Sequence, residues 1–335
     1  MSKLSDYYKY VEKNNGLYKI NYPLSIQINL TNKCYQKCIG CRKYKWPNSQ
    51  LEIDDILNIF SLIKLKQNNT IVYSGGEPLI HKEINKIIEV TENNFGMLSS
   101  GLWPKNMSIE LFKNKYFKWI SISIDGSSYE MYKKCRGIDS LDIAIKNISK
   151  IKTFNEKLNI RINSTISNIN YTEIIGMMKI AKNLNVEINF FPIHTWEDLK
   201  LNFDNIVYIV RSAIEFSKVN KIKTNILDFY SMMNRKKPNK CIIPYFHFVV
   251  DSNGDVLPCC RLLNDNGEYL KNNNNIIGNV KNEDIYNIIN SNKTCEIRKK
   301  IFNPCLGECE ECDRYNYINK DFEMYLNSNT NNIFL

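Results

Sequence analysis

The chain is 335 residues long, 43% of them hydrophobic, and carries a net charge of +10. That length gives a prior of about two domains, and the apolar share supports a sizeable core, which excludes a globally disordered chain. No apolar run reaches the ~18 residues a membrane span needs, and the polar, aromatic opening Met1–Tyr10 lacks the apolar stretch of a secretory signal, so a cytoplasmic protein without membrane contact is expected.

Residues 24–30 (LSIQINL) alternate apolar and polar and predict a strand. Cys34, Cys38 and Cys41 follow it, on the loop at its C-terminal end. Ile53, Ile56, Leu57, Phe60 and Ile63 have helical spacing over 53–66. Thr70–Tyr73 predicts a short strand ending in SGGEP, residues 82–94 a helix, and Met97–Ser100 the next strand. Residues 119–124 (WISISI) alternate as a strand that ends at Asp125–Gly126. A helix over 139–153 carries Leu141, Ile145, Ile148 and Ile151 on one face. Strands at 159–166 and 187–192 flank a helix near 172–184. Strand and helix alternate about six times across 24–225, which implies a parallel sheet with right-handed crossovers. The polar and glycine motifs fall at strand C-termini, where a barrel-like sheet builds its site.

Beyond about residue 230 the pattern changes. Phe246–Cys260 predicts a hairpin turning at Asn253–Gly254, followed by short helices near 282–290 and 294–302. Lys271–Asn275 is low in complexity and reads as a loop.

Eleven cysteines in a chain without an export signal point to metal or cluster ligation rather than disulfides. Eight of the eleven fall in two patterned groups. In the first, Cys34, Cys38 and Cys41 are spaced C-x3-C-x2-C. Each iron of a [4Fe–4S] cluster takes one thiolate, so three cysteines leave one iron open. A structural zinc site takes four protein ligands, and no fourth cysteine or histidine lies nearby in the sequence.

With this triplet the chain resembles the radical S-adenosylmethionine (SAM) superfamily. Gly75, Gly76, Glu77 and Pro78 resemble that family's second-strand motif. The resemblance implies that its backbone and the Glu77 side chain receive the SAM amino group. Ser123-Ile124-Asp125-Gly126 resembles the family's S-x-D-G segment. There Ser123 is expected to bond the SAM ribose, and Asp125 either to do the same or to cap the next helix. Arg136-Gly137 resembles the family's R-G, which assigns Arg136 to the SAM carboxylate. Ser99-Ser100-Gly101 stands where the family has T-N-G and would line the SAM pocket. The residue before the third cysteine, often aromatic in the family, is Gly40 here. Ile39, Tyr44 or Trp46 are the candidates to replace it beside adenine.

The C-terminal cysteines resemble the SPASM/Twitch extension, which carries auxiliary iron–sulfur clusters. Cys241, Cys259, Cys309 and Cys312 are the expected ligands of a second, auxiliary [4Fe–4S] cluster in a Twitch-like module. Cys305 is an alternative to Cys309 or Cys312, and a zinc knuckle is the competing use of the group. Cys135, Cys260 and Cys295 default to small buried hydrophobes. His81, His194 and His247 are scattered and read as structural. His194, Trp196, Glu197 and Asp198 follow the sixth strand and are possible substrate contacts.

The implied fold is α/β: a partial (β/α)6 TIM-like barrel over 24–230, after an N-terminal segment 1–23, with a small α+β cluster-binding extension over 231–335. The implied enzyme cleaves SAM to a 5′-deoxyadenosyl radical that takes a substrate hydrogen atom, for a net oxidation. Only about 23 residues precede the first strand. That favours a compact substrate, such as a sugar, aminocyclitol or nucleotide, over a ribosomally made peptide. The implied partner is a flavodoxin- or ferredoxin-type electron donor. A charge of +10 suits a solvated surface or an anionic partner. Its basic residues are scattered, as at Lys43–Trp46, so a nucleic-acid binder is not expected. A non-catalytic iron–sulfur or zinc protein is the reading from another class.

Overall fold

Alternation along the strands sorts the sheet into two unlike faces. Ile26, Ile28, Tyr73, Met97, Ile122, Ile162 and Phe190 are fully or almost fully buried on one face. Their strand neighbours Gln27, Asn29, Ser74, Ser123, Asn163 and Asn189 are polar and occupy the other. A parallel sheet is ordinarily apolar on both faces, so a polar face marks where the site lies.

In this computed structural model the described residues are 9, 18–21, 23–41, 48–63, 70–105, 107–193, 197–232, 241–259 and 276–302. Strands β1 (Ser25–Thr31), β2 (Thr70–Gly75), β3 (Phe95–Ser99), β4 (Phe117–Ser123), β5 (Asn159–Ile166) and β6 (Glu187–Pro192) pair in parallel, in sequence order. This is the open, barrel-like α/β sheet expected. Helices Ile53–Ile63, Ile84–Val90, Leu141–Phe154 and Ile174–Leu184 stand near their expected positions. The helix Tyr129–Arg136 was not anticipated from periodicity. Ser128 caps its start and Gly137, at φ 79°, ends it in the left-handed region.

The hairpin forms as expected from β7 (His247–Val250) and β8 (Asp255–Leu257), joined by β9 (Gly278–Asn279). It is not separate from the barrel. β7 pairs in parallel with β1, so one nine-stranded sheet runs β6-β5-β4-β3-β2-β1-β7-β8-β9. Polar side chains stitch that seam: Asn29 donates to Asp251 at 3.0 Å, and Ser25 meets His247 Nδ1 at 2.7 Å. A single apolar core likewise runs from Ile20 to Ile297.

The other edge, β6, is covered. Asn225 accepts from Phe190 N at 2.7 Å and donates to Phe190 O at 3.0 Å, so a side chain stands in for a neighbouring strand. Near the N-terminal ends of the strands the Trp119 indole lies across Gly96, where a Cβ would come within 1.9 Å of the ring. The Arg161 guanidinium stacks 4.2 Å over that indole and donates to Ser121 Oγ at 2.6 Å. These side chains plug the end of the polar face that lies away from the cysteine loop.

Candidate active site

The loop bearing Cys34, Cys38 and Cys41 has little regular structure and is held from two sides. On one side the glycine motif grips it: Gly76 N donates to Thr31 O at 2.6 Å and Glu77 N to Lys33 O at 2.8 Å. This approach requires glycine. A Cβ on Gly76 would sit 2.1 Å from Lys33 O, and Gly75 has φ 130° with Thr31 O only 2.3 Å from a would-be Cβ. On the other side Lys37 N donates to Arg136 O at 3.2 Å and Ile39 N to Cys135 O at 3.0 Å. A turn closed by Cys41 N and Cys38 O at 3.0 Å draws the last two cysteines together.

All three cysteines line one cavity of about 290 Å³ at the C-terminal ends of the strands. Cys34 is exposed, and Cys38 and Cys41 are partly so. Desolvation pushes the Cys34 thiol up to about 11, and the Gln36 backbone N–H offsets only part of it. Desolvation likewise pushes Cys38 up to about 12, against the pull of Arg136. Thiols in such a place become thiolates when a metal centre supplies positive charge. Among the described residues no three His, Cys, Asp or Glu converge tightly enough for a single metal ion. A cluster makes no such demand, because each thiolate bonds a different iron. The three thiols therefore fit a [4Fe–4S] cluster with one open iron.

Glu77 has several partners within the protein. It is fully buried and does not line the cavity. Its carboxylate accepts from Leu79 N at 3.1 Å, Ser99 Oγ at 2.9 Å, Ser100 N at 2.6 Å and the Ser100 hydroxyl. Burial drives its pKa upward, and these bonds oppose the rise. The side chain is a bracket between the turn after β2 and the end of β3. Pro78 is also buried, at the first position of the 3-10 turn Pro78–Ile80. The motif's lining comes instead from Ser74, Gly75 and Gly76.

Asp125 does not cap the following helix, since Ser128 does. It forms an ion pair with Arg136 at 2.8 Å, and its second oxygen accepts from Thr165 N at 2.7 Å. Asn170, buried, clamps the same place by donating to Asp125 O at 2.8 Å and Thr165 O at 2.9 Å. Burial works against the Arg136 charge, and Asp125 and Cys38 more than restore it. Arg136 Nε donates to Gln36 Oε1 at 2.9 Å. Gln36 in turn donates to Tyr132 OH at 3.0 Å, and its backbone N–H bonds Cys34 Sγ at 3.4 Å. This glutamine between the first two cysteines, missed in the sequence, ties the first cysteine to the arginine. Its only local signal is an amide inside the cysteine triplet.

Ser123, Ser99 and Ser100 line the cavity, and Asn32, Thr165, Ser167 and Ile193 join them unanticipated. Ile39 and Gly40 line it too, while Tyr44 and Trp46 lie outside the described residues. Cys135 is buried but also reaches the cavity, which a purely packing role did not foresee.

Of the second group, Cys241 and Cys259 flank the β7–β8 hairpin in sequence and are partly buried against the core. Cys260, Cys305, Cys309 and Cys312 lie outside the described residues, as do His194 and Trp196. Cys295 has a structural place, bonding Tyr18 O at 3.4 Å. His81 bonds Leu51 O at 2.8 Å, and His247 joins the β1–β7 seam. Glu197 and Asp198 sit on a 3-10 turn, and neither lines the cavity.

Comparison with known proteins gives the family and the fold. The sequence model of the radical SAM superfamily matches residues 28–201, and that of the SPASM iron–sulfur cluster-binding domain matches 241–313. GTP 3′,8-cyclase of Clostridium acetobutylicum is 26% identical over 178 residues, 50% of this chain and 55% of that protein. A probable GTP 3′,8-cyclase of Methanocaldococcus jannaschii is 26% identical over 224 residues, 64% of this chain and 72% of that one. The chain spans just over half the length of several curated relatives it matches. Among solved structures, Streptococcus suis SuiB bound to precursor peptide SuiA has a TM-score of 0.69 at 17% identity, covering 94% of this chain and 76% of SuiB. The protein anSMEcpe with bound AdoMet and Cp18Cys peptide has a TM-score of 0.62 at 16% identity, covering 89% and 88%. At such identities the likeness establishes the fold. With its cysteine triplet, its braced glycine motif and a family match over more than half its length, the chain belongs to the radical SAM superfamily and carries a C-terminal SPASM domain.

Proposed function

We propose that this chain cleaves SAM reductively and takes a hydrogen atom from a compact substrate held over the polar face of its sheet, for a net oxidation. The observation that carries the reading is the single cavity where the three cysteines, Arg136 and Ser123 meet. When bound, the cluster on Cys34, Cys38 and Cys41 supplies the electron that splits SAM to methionine and a 5′-deoxyadenosyl radical, and an auxiliary cluster on Cys241, Cys259, Cys309 and Cys312 supplies an acceptor for a second electron.

The chain's own work is positioning. Asp125 and Gln36 take two of the Arg136 donors, and the others receive the SAM carboxylate. With Glu77 withdrawn, the backbone of Ser74–Gly76 offers acceptors to the ammonium. Ser123 has no side-chain partner within the described protein and receives a ribose hydroxyl. The Trp119–Arg161 plug closes the far end of the polar face, which keeps water from the reacting atoms.

A compact, anionic substrate such as a nucleotide is supported by the small polar side chains of the cavity, the net charge of +10 and relatives named for acting on GTP. A peptide substrate is the second reading, supported by the fold shared through 94% of the chain with a protein that holds its precursor peptide. Anaerobic reconstitution followed by SAM and dithionite tests the reaction. Wild type should form 5′-deoxyadenosine, whereas Cys34→Ala should not, yet should keep the iron held by the C-terminal cysteines. Zinc without iron, and no 5′-deoxyadenosine, would overturn the proposal. Deuterium transfer into 5′-deoxyadenosine from labelled nucleotides or from labelled peptides separates the two substrates.

A further inference from the structure

The cysteine loop has a second, solvent-facing side, which borders the cavity at Cys34 and Ile39. Between Asn32 and Leu51 the sequence holds Lys33, Lys37, Arg42, Lys43 and Lys45 and no acidic residue. In the structure Lys33, Tyr35, Lys37 and Ile39 are exposed, while Gln36 between them is buried. Alternate side chains of this loop therefore point outward. The bonds from Lys37 N and Ile39 N to Arg136 O and Cys135 O seat the loop against the end of the helix Tyr129–Arg136. That helix end adds Lys133 and Lys134, both exposed. None of these four lysines has an ion-pair partner among the described residues, although Glu130 and Asp139 are exposed nearby. A helix C-terminus favours Lys133 and Lys134 by its dipole. No such cause acts on Lys33 and Lys37.

An apolar-bodied side chain, Tyr35 at 49% exposure, sits at the centre of this basic face, and Ile39 at 37% stands at its border with the cavity it lines. An apolar centre with a charged rim is the make-up of a transient protein interface. The face also holds Cys34, the most exposed of the three cysteines. Of the three thiols, solvent therefore reaches this one most openly.

We propose that this face, centred on Tyr35 and ringed by Lys33, Lys37, Lys133 and Lys134, docks an acidic one-electron carrier protein. The proposal rests on the radical SAM reading above and names where its electron enters. Steering by complementary charge acts on association, so it changes rate and salt dependence more than the chemistry.

The test uses the full, reconstituted chain and two reductants: dithionite, which needs no docking, and reduced flavodoxin. Lys37→Glu combined with Lys134→Glu should slow flavodoxin-driven 5′-deoxyadenosine formation about tenfold at low salt and flatten its salt dependence. The dithionite-driven rate should stay within about twofold, as for a mild surface change. Lys134→Glu alone, on the helix surface, gives a weaker effect of the same kind and guards against misfolding of the loop. Lys221→Glu with Lys223→Glu, near the other end of the strands, should change neither rate. Equal flavodoxin-driven rates in wild type and the double variant would overturn the docking face. Loss of the dithionite-driven rate in that variant would overturn it too, by showing that the lysines act on the cluster site itself. Tighter binding of a single-stranded oligonucleotide than of flavodoxin, lost in the same variant, would assign the face to nucleic acid instead. Absence of 5′-deoxyadenosine from wild type with dithionite would instead refute the underlying reaction.

Discussion

Glu77→Gln separates a structural bracket from a substrate ligand. The substitution keeps the shape and turns one carboxylate oxygen into an NH2 donor. Placed on either side, that NH2 faces one backbone N–H, of Leu79 or of Ser100, and one serine hydroxyl. The hydroxyl can turn to accept, but the backbone N–H is left unpaired in a buried site, which costs about 1–3 kcal/mol. The remaining bonds also lose their ionised acceptor and weaken, by about half. In the other direction, burial drives the Glu77 pKa upward, so a neutral amide escapes part of a desolvation cost. The expected net loss is about 2 kcal/mol of stability. It would be read as a lower urea midpoint with an unchanged slope. The KM for SAM should move little in the protein that remains folded. A raised KM for SAM at an unchanged urea midpoint would refute the bracket and return Glu77 to the ammonium.

Two further substitutions probe the braces. Gly76→Ala sets a Cβ 2.1 Å from Lys33 O, and relieving that contact must part the two loops and break bonds of 2.6 and 2.8 Å. Overpacking costs about 1–3 kcal/mol, so this variant should lose iron from the first site and retain it at the C-terminal site; full iron content with full SAM cleavage would count against the argument. Glu173 accepts from Ser127 N at 2.7 Å and Ser128 N at 3.0 Å, and these bonds outweigh partial burial to hold its carboxyl below the usual range. A lowered carboxylate pKa stabilises the fold above the unfolded value of ~4.3 and loses that contribution as pH falls through the folded value. Glu173→Gln should therefore flatten the fall in melting temperature below about pH 4.3 and be less stable than wild type at pH 7. Parallel melting curves for the two proteins across that range would refute it.

What the sequence made legible was whatever repeats locally. The six parallel strands showed because alternation such as Trp119–Ile124 is a two-residue pattern, and the site's place showed because its motifs end those strands. Hidden from it were contacts between distant residues. The bracket Glu77 forms shows only when Ser99 and Ser100, 22 and 23 residues away, are seen around it. Gln36 shows its use only when Arg136, 100 residues on, arrives beside it. Nothing local in His247–Val250 shows that it lies along β1, because strand pairing across 222 residues leaves no periodic trace. The helix Tyr129–Arg136 escaped because it is short and its mean composition is polar; only Tyr132 and Cys135 are buried.

The β1–β7 pairing has a consequence for how such a chain can be rebuilt. The strand that launches the cysteine loop is walled on one side by the C-terminal region, so that region is no detachable cassette. A chimera that exchanges it must also carry a β7 with partners for Ser25 and Asn29, the places taken here by His247 and Asp251. Without them the graft would leave β1 as a raw sheet edge, open to pairing with another chain. Divergence toward new substrates is then easiest in the loops at the strand ends, and slowest along this seam, where both halves of the protein must change in step.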